Sequence, residues 1–132
     1  MKKNISISSG ELCILESLWK ANRPLAQFEI LESLSEQKIQ NRTSVYNMIN
    51  KLLEKKLIKT VGSVPAVRNF SRTFSPTITA DEYTMYKLKI YPDDSPVIER
   101  LLSSLVDKRN ISEDVLKKVE AKIAKRLKEK DK

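Results

Sequence analysis

The sequence predicts a mainly α-helical protein with one small β-hairpin, in which an N-terminal domain is followed by a C-terminal helical region. Three observations predict this class. Apolar residues recur at helical spacing in six segments, whereas strand-like alternation occurs only between residues 57 and 74. Residues 91–96 interrupt the pattern with two prolines and two acidic residues. We expect one domain over residues 1–78 and a second region over residues 79–132.

Two helices are predicted before residue 37. The first begins after Ser8, which can form a capping box with Glu11 three residues later, and it ends at Asn22-Arg23-Pro24. The second is expected from about Ala26 to Glu36. Apolar residues form the inner face of each helix: Leu12, Leu15, Leu18 and Trp19 in the first, and Phe28, Ile30, Leu31 and Leu34 in the second.

The third helix, expected from about Arg42 to Lys55, has two unlike faces. Its apolar stripe consists of Val45, Met48, Ile49, Leu52 and Leu53. The opposite face carries side chains that can form hydrogen bonds with base edges and phosphates: Thr43, Tyr46, Asn47, Asn50, Lys51 and Glu54. The pattern predicts a helix that is anchored on one side and accessible on the other.

A basic hairpin is predicted after the third helix. Its strands are expected over residues 57–61 and 69–74, joined by a turn over residues 62–68. Three helices followed by a two-stranded hairpin is the element order of a winged helix-turn-helix domain. A protruding third helix fits the major groove of B-DNA, which is about 12 Å wide. The order of elements therefore favours double-stranded DNA as the partner.

Ten residues are candidates for contacts with DNA. Asn47 and Asn50 are suited to adenine, and Thr43 or Ser44 can contact a thymine methyl group or a phosphate. The phosphate candidates are Lys51, Lys55, Lys59, Arg68 and Arg72, and Tyr46 completes the set. Other interpretations remain open for single residues: Asn50 could be solvated, Tyr46 could pack on the second helix, and Lys55 could oppose the helix dipole.

The C-terminal region is expected to form a homodimer. Two further helices, starting near Ser95 and Ser112, follow a short helix capped by Thr79. A two-helix appendage cannot bury both of their apolar stripes alone, so a partner subunit would cover them. The candidate dimerisation residues are Val97, Ile98, Leu101, Leu102, Leu105, Leu116, Val119 and Ile123.

Composition excludes several kinds of site. The chain has no His and one Cys, Cys13, so it lacks an ordinary zinc site, an internal disulfide and a histidine for acid–base catalysis. We expect no metal, no cofactor and no enzymatic activity. No apolar run approaches the ~18 residues that cross a bilayer, which favours a cytoplasmic protein without membrane contact. Residues 1–78 carry 12 Lys and Arg against 6 Asp and Glu, an excess typical of a polyanion-binding domain.

Three segments resemble one known family. Residues 7–19, Ile-Ser-Ser-Gly-Glu-Leu-Cys-Ile-Leu-Glu-Ser-Leu-Trp, resemble the opening of the penicillinase-repressor and copper-operon-repressor family. Ser44-Val45 followed by Asn50-Lys51-Leu52 is similar to Thr-Val and Asn-Arg-Leu in the family's recognition helix. Residues 74–83, Phe-Ser-Pro-Thr-Ile-Thr-Ala-Asp-Glu-Tyr, look like its Tyr-Ser-Pro, Val-Ser and Glu-Glu-Tyr signature.

The resemblance implies a winged-helix transcriptional regulator, a repressor that dimerises through C-terminal helices and binds a palindromic operator. The chain departs from the family at three places. Lys56 stands about where the family has a glycine, the C-terminal helices lack the Asn-Phe pair at which antibiotic-responsive members are cleaved, and the C-terminal cysteine cluster of copper-responsive members is absent. The alternative function is a winged-helix interaction module within a larger complex that does not itself bind DNA.

Overall fold

The computed structural model describes residues 6–35, 41–66 and 69–131. In these ranges it has six helices and a three-stranded antiparallel sheet, as the predicted fold class requires. The elements in chain order are α1 (Ser9–Ala21), β1 (Leu25–Ala26), α2 (Gln27–Ser35), α3 (Arg42–Glu54), β2 (Ile58–Pro65), β3 (Phe70–Pro76), α4 (Ala80–Leu88), α5 (Pro96–Lys108) and α6 (Glu113–Lys130).

Side-chain caps start the first and third helices. The Ser8 hydroxyl accepts a hydrogen bond from the Glu11 amide, and a Glu11 carboxylate oxygen accepts one from the Ser8 amide, each at 3.2 Å. This capping box confirms the predicted start of α1. Asn41 caps α3, because its Oδ1 accepts a hydrogen bond from the Ser44 amide at 2.8 Å.

The N-terminal elements enclose one hydrophobic core. Val45, Ile49 and Leu52 place the inner stripe of α3 in that core, each with no more than 1% of its surface exposed. The other buried members come from every neighbouring element: Ile14, Leu15, Leu18, Leu25, Ile30, Leu34, Leu57, Ile58, Phe74 and Ile78. Helix α3 is therefore anchored along the stripe that its apolar periodicity predicts.

The sheet has the order β1-β3-β2 and differs from the expected hairpin in two ways. Strand β1, which the sequence pattern does not reveal, pairs Leu25 with Phe74 and Ala26 with Thr73. Strand β2 continues past the expected end, because Gly62 lies inside it and not in the turn. The register skips Val61 between Thr60 and Gly62, which makes a β-bulge there.

The end of α3 is a Schellman motif that leads into the hairpin. The Leu57 amide donates a hydrogen bond to the Leu52 carbonyl, and the Lys56 amide donates one to the Leu53 carbonyl, each at 3.0 Å. Lys56 has a φ of 62°, a left-handed conformation that favours glycine. Thr77 closes the junction, because its hydroxyl donates a hydrogen bond to the Lys56 carbonyl at 2.6 Å.

The chain divides into two compact units, Met1–Lys89 and Ile90–Lys132. Helix α4 thus belongs with the first unit, whereas a boundary after residue 78 would separate it from that unit. Two contacts of Trp19 explain the difference: its indole N–H donates to the Ile78 carbonyl at 2.8 Å, and its ring lies 6.0 Å from that of Tyr83. Tyr83 also packs against the core.

The second unit contains α5 and α6. Ser95 and Ser112 are their N-caps, and Pro96 is the first residue of α5, as the sequence predicts. Of residues 90–131, which the structure describes throughout, none is buried. None of the helices within the described ranges combines the length and the apolar composition needed to cross a membrane.

Candidate nucleic-acid interface

The outer face of α3 is a polar surface open to solvent. Thr43, Ser44, Asn47 and Lys51 are exposed, and Asn50 is half-buried. Tyr46 is 45% exposed, so much of its ring is not covered by a neighbouring helix. These side chains share one helix whose opposite side is held in the core, and their hydroxyl, amide and ammonium groups suit both base edges and phosphates.

Lys55 differs from the other candidates because its ammonium group is already bound within the protein. Its Nζ lies 2.7 Å from the Ser6 carbonyl oxygen and 2.8 and 3.1 Å from the two carboxylate oxygens of Glu11. Three acceptors use the three N–H donors of a lysine. The structure therefore places the Lys55 ammonium in an ion pair within the protein, an arrangement that the sequence pattern does not reveal.

The partner carboxylate, Glu11, has only 4% of its side-chain surface exposed. Burial acts to raise the pKa of Glu11, but hydrogen bonds from Lys55 and from the amide and hydroxyl of Ser8, together with the Lys55 charge, hold the pKa below its ordinary value. The ion pair connects the first turn of α1 with the end of α3. Gly10 allows a second close approach, since an added Cβ would overlap the Met48 sulfur.

The hairpin candidates lie on different faces of the sheet. Arg72 is opposite Ser63 and Lys59 is opposite Ser75. Arg72 and Ser75 are three residues apart on β3, so Arg72 and Lys59 extend from opposite faces of the hairpin. The Arg72 guanidinium lies 5.4 Å from the centroid of the Phe74 ring, a cation–π contact that restricts its position. Arg68 lies outside the described residues.

One basic residue at the start of α3 was not among the candidates. Arg42 is the first residue of the helix and is exposed. It takes part in none of the ion pairs formed among residues 6–35, 41–66 and 69–131. A cation at a helix N-terminus is unfavourable with respect to the helix dipole. That cost is the sequence signal that could have indicated a role in binding an anion.

The remaining chemically reactive side chain does not form a catalytic site. Cys13 is half-buried on α1, and burial, followed by the nearby Glu16 charge, raises the pKa of its thiol. A raised pKa disfavours the nucleophilic thiolate. Within the parts of the chain that the structure describes, no three His, Cys, Asp or Glu residues come together as a possible metal site.

Comparison with known proteins identifies the relatives of the chain. The family model described as penicillinase repressor matches residues 7–125. A mutant of MepR from S. aureus, solved bound to an oligodeoxyribonucleotide, is 19% identical, with a TM-score of 0.51 over 93% of this chain and 79% of that chain. This likeness supports the winged-helix fold.

Another solved structure with some similarity to the chain is that of the adhesin competence repressor AdcR from Streptococcus pyogenes. It is 16% identical, with a TM-score of 0.47 over 97% of this chain and 83% of that chain. No curated protein sequence matches the chain. The family match covers most of the chain and includes α3 and the hairpin. The chain belongs to the penicillinase repressor family, whose members are DNA-binding transcriptional repressors and not enzymes.

Proposed function

We propose that the protein is a sequence-specific, homodimeric repressor that binds a palindromic operator in the cytoplasm. The observation that carries the proposal is the division of α3 into two faces. Val45, Ile49 and Leu52 on its inner stripe are buried, while the polar residues on the other side are exposed: Thr43, Ser44, Asn47 and Lys51. A helix held in this way can enter a major groove without losing contact with its own domain.

The base contacts are assigned to the amide side chains of α3. Asn47 and Asn50 are three residues apart and therefore neighbours on one helix face. The side-chain amide of an asparagine can donate a hydrogen bond to N7 of adenine and accept one from the N6 amino group, which together make a bidentate contact. Thr43, Ser44 and Tyr46 lie nearer the start of the helix, where they would contact thymine methyl groups, neighbouring base edges or phosphates.

The phosphate contacts are assigned to Arg42, Lys51, Lys59, Arg68 and Arg72. Arg42 replaces Lys55 in this set, because the Lys55 ammonium is bound to Glu11 and the Ser6 carbonyl. Lys59 and Arg72 extend from opposite faces of the hairpin, so we expect them to contact different phosphates. Each phosphate that is neutralised releases condensed counterions, which makes the affinity fall as salt is added.

The dimer is assigned to the second unit because its apolar faces have no cover within that unit. On α5, Leu102 is 60% exposed, and Leu105 and Val106 are exposed as well. On α6, Leu116, Val119 and Ile123 are exposed. Val97, Ile98 and Leu101 are only half-buried. A second copy would cover these residues, and its two-fold symmetry would present two recognition helices to two half-sites.

Selection of bound fragments from random duplex DNA tests the proposal. We expect enrichment of an inverted repeat whose half-sites are one helical turn, about 10 bp, or a multiple of it apart. Footprinting on the enriched fragment should give protection with dyad symmetry. Enrichment of a single asymmetric site would contradict the dimer, and no enrichment above random DNA would contradict sequence-specific binding and favour an interaction module.

Two substitutions separate base contacts from phosphate contacts. Asn47→Ala should weaken binding to the selected operator by about 1–3 kcal/mol and leave random duplex binding nearly unchanged. Arg72→Gln should weaken binding to both duplexes and reduce the slope of log K against log salt by about one. Fluorescence anisotropy titrations at several salt concentrations measure both quantities. Equal losses of Asn47→Ala on the two duplexes would refute its role at a base.

A further inference from the structure

The first unit contains an apolar groove that shares one described residue, Arg42, with the proposed DNA contacts. It lies between the start of α2, the first residue of α3 and the end of the hairpin, and its volume is about 760 Å³. The two aromatic residues of its described lining are unusually exposed for phenylalanine: 48% of the surface of Phe28 and 69% of that of Phe70 are accessible to solvent. Leu31 and Pro65 extend the apolar lining. The volume falls within the range of about 300–1,000 Å³ found for small-molecule sites.

Apolar side chains from both α2 and β3 line the groove. Phe28 and Leu31 are three residues apart on α2, so they share one helix face. Phe70 is four residues from Phe74 on β3 and therefore extends from the face of the sheet that covers the core. Two aromatic rings that line one groove can pack against a flat apolar body in offset or edge-to-face arrangements.

Among the described residues that line the groove, Arg42 is the only charged one. No ion pair among the described residues involves it. Its guanidinium can bind a carboxylate through two parallel hydrogen bonds. A nucleic-acid strand is a poorer match for this groove, because phosphate recognition relies on cations and N–H donors, and most of the lining residues are apolar.

We infer that this groove binds an aromatic organic anion, with its ring system between Phe28 and Phe70 and its carboxylate on Arg42. The effector role of the site rests on the proposed function. The ligand would occupy the space between the recognition helix and the hairpin, the two elements assigned to the duplex. Its carboxylate would also compete with phosphate for Arg42. Binding of such a molecule would therefore weaken DNA binding and act as an inducing signal.

Calorimetric titration of the full chain with 2-naphthoate, in the absence of DNA, tests the site. The neutral isostere 2-naphthamide has the same ring system without the charge. We expect the amide to bind about tenfold more weakly, the difference that one charge-assisted contact supplies. Equal affinity for the two molecules, or no heat from naphthoate, would overturn the inference.

Matched variants locate the binding. Arg42→Gln should remove the preference for naphthoate over naphthamide, whereas Lys51→Gln, a loss of the same charge elsewhere on α3, should preserve it. Phe28→Ser should weaken both molecules at least tenfold, whereas Met85→Ser, at a residue on α4 that is 65% exposed, should weaken neither. Circular dichroism verifies that each variant is folded. Naphthoate binding that is unchanged in Phe28→Ser would place the ligand elsewhere and refute the site.

A final titration tests the effector role. Saturating naphthoate should raise the Kd for the selected duplex at least tenfold in the unsubstituted protein and have little effect in Phe28→Ser. An unchanged Kd would overturn the effector role and leave the site established. A chain that binds naphthoate but no duplex would overturn the proposed function and the effector role together, while the titration without DNA would still support the site.

Discussion

The two compact units bury their apolar residues to very different extents. Among the described residues of the first unit, thirteen hydrophobic side chains form one buried cluster, to which α1, α2, α3 and the sheet contribute. In the second, α5 and α6 carry equally regular apolar stripes, yet none of residues 90–131 is buried. The same helical periodicity has therefore produced a closed core in one unit and an open face in the other.

The difference predicts that the second unit needs a partner subunit for its stability, whereas the first unit does not. Burial of an aliphatic side chain contributes about 1.5–3 kcal/mol, and the first unit obtains this contribution from its own residues. The helices of the second unit obtain little of it alone, because none of their apolar residues is buried. Four expected outcomes test this comparison, in order of decreasing effect.

The largest effect should come from charges placed on the open face. In the double variant Leu101→Asp, Leu105→Asp, four leucines per dimer are replaced. Because each is already partly covered within its own chain, the lost burial should cost about 3–6 kcal/mol of association free energy. We expect a monomer in sedimentation equilibrium at micromolar concentration, with weak operator binding. Ser103→Asp adds a charge between the two positions at an exposed serine and should remain dimeric. A dimer that survives the double substitution would show that the interface lies elsewhere.

A cavity in the closed core should cost somewhat less. Leu52 has no exposed surface, so Leu52→Ala should lower the free energy of unfolding by about 2–5 kcal/mol, measured by urea titration. The matched change in the second unit is Leu102→Ala, made in the monomeric double variant, where it should cost less than about 0.5 kcal/mol. Similar losses at both positions would contradict the contrast between a closed and an open face.

The ion pair between Glu11 and Lys55 should make the first unit sensitive to acid. The pKa of Glu11 is lowered in the folded protein, so its contribution to stability is present above the ordinary glutamate pKa of about 4.3 and is lost as the pH falls through the lower folded value. Stability should therefore decrease at low pH, a part of the pH profile that we call the acid limb. Glu11→Gln should make this decrease smaller, as measured by thermal unfolding between about pH 2 and 6.

Glu29 provides a comparison for that measurement. Arg23 also lowers the pKa of Glu29, through a hydrogen bond and its charge, but the Arg23 side chain is 59% exposed. Solvent screens such a pair, so Glu29→Gln should alter the acid limb less than Glu11→Gln does. The reverse order would show that the internal pair does not control the acid limb.

The smallest effect should be a gain in stability at the end of α3. A non-glycine residue in the left-handed region costs about 1–2 kcal/mol, and glycine loses about 0.4–1 kcal/mol more chain entropy on folding. Lys56→Gly should therefore stabilise the first unit by up to about 1 kcal/mol in urea titration. Lys56→Ala removes the same charge but keeps Cβ, and it should give no gain. An equal gain from both variants would attribute the effect to charge.

The sequence predicts what depends on neighbours along the chain. The capping boxes at Ser8 and Thr79 and the buried stripe of α3 are local patterns, and the structure contains them. Strand β1 could not be predicted, because its two residues are ordered by pairing with Phe74 and Thr73, almost fifty positions later. Gly62 suggested a turn, although it lies inside β2 beside the bulge.

The candidate site divides in the same way. The accessible face of α3 follows from helical periodicity, so the exposure of Thr43, Asn47 and Lys51 was predicted from spacing alone. Lys55 has the same spacing as a surface residue, but its partner Glu11 is 44 positions away, and periodicity contains no information on that pair. Phe28 and Phe70 likewise line the same groove only once the hairpin has folded beside α2.

The position of the single tryptophan has a practical consequence. Trp19 is held between the Ile78 carbonyl and the ring of Tyr83, and all three residues belong to Met1–Lys89. Its emission will therefore follow the melting of that unit alone, whereas far-ultraviolet dichroism sums over all helices. Comparing the two signals during one titration separates the loss of α5 and α6 from the rest without a label or a truncated chain.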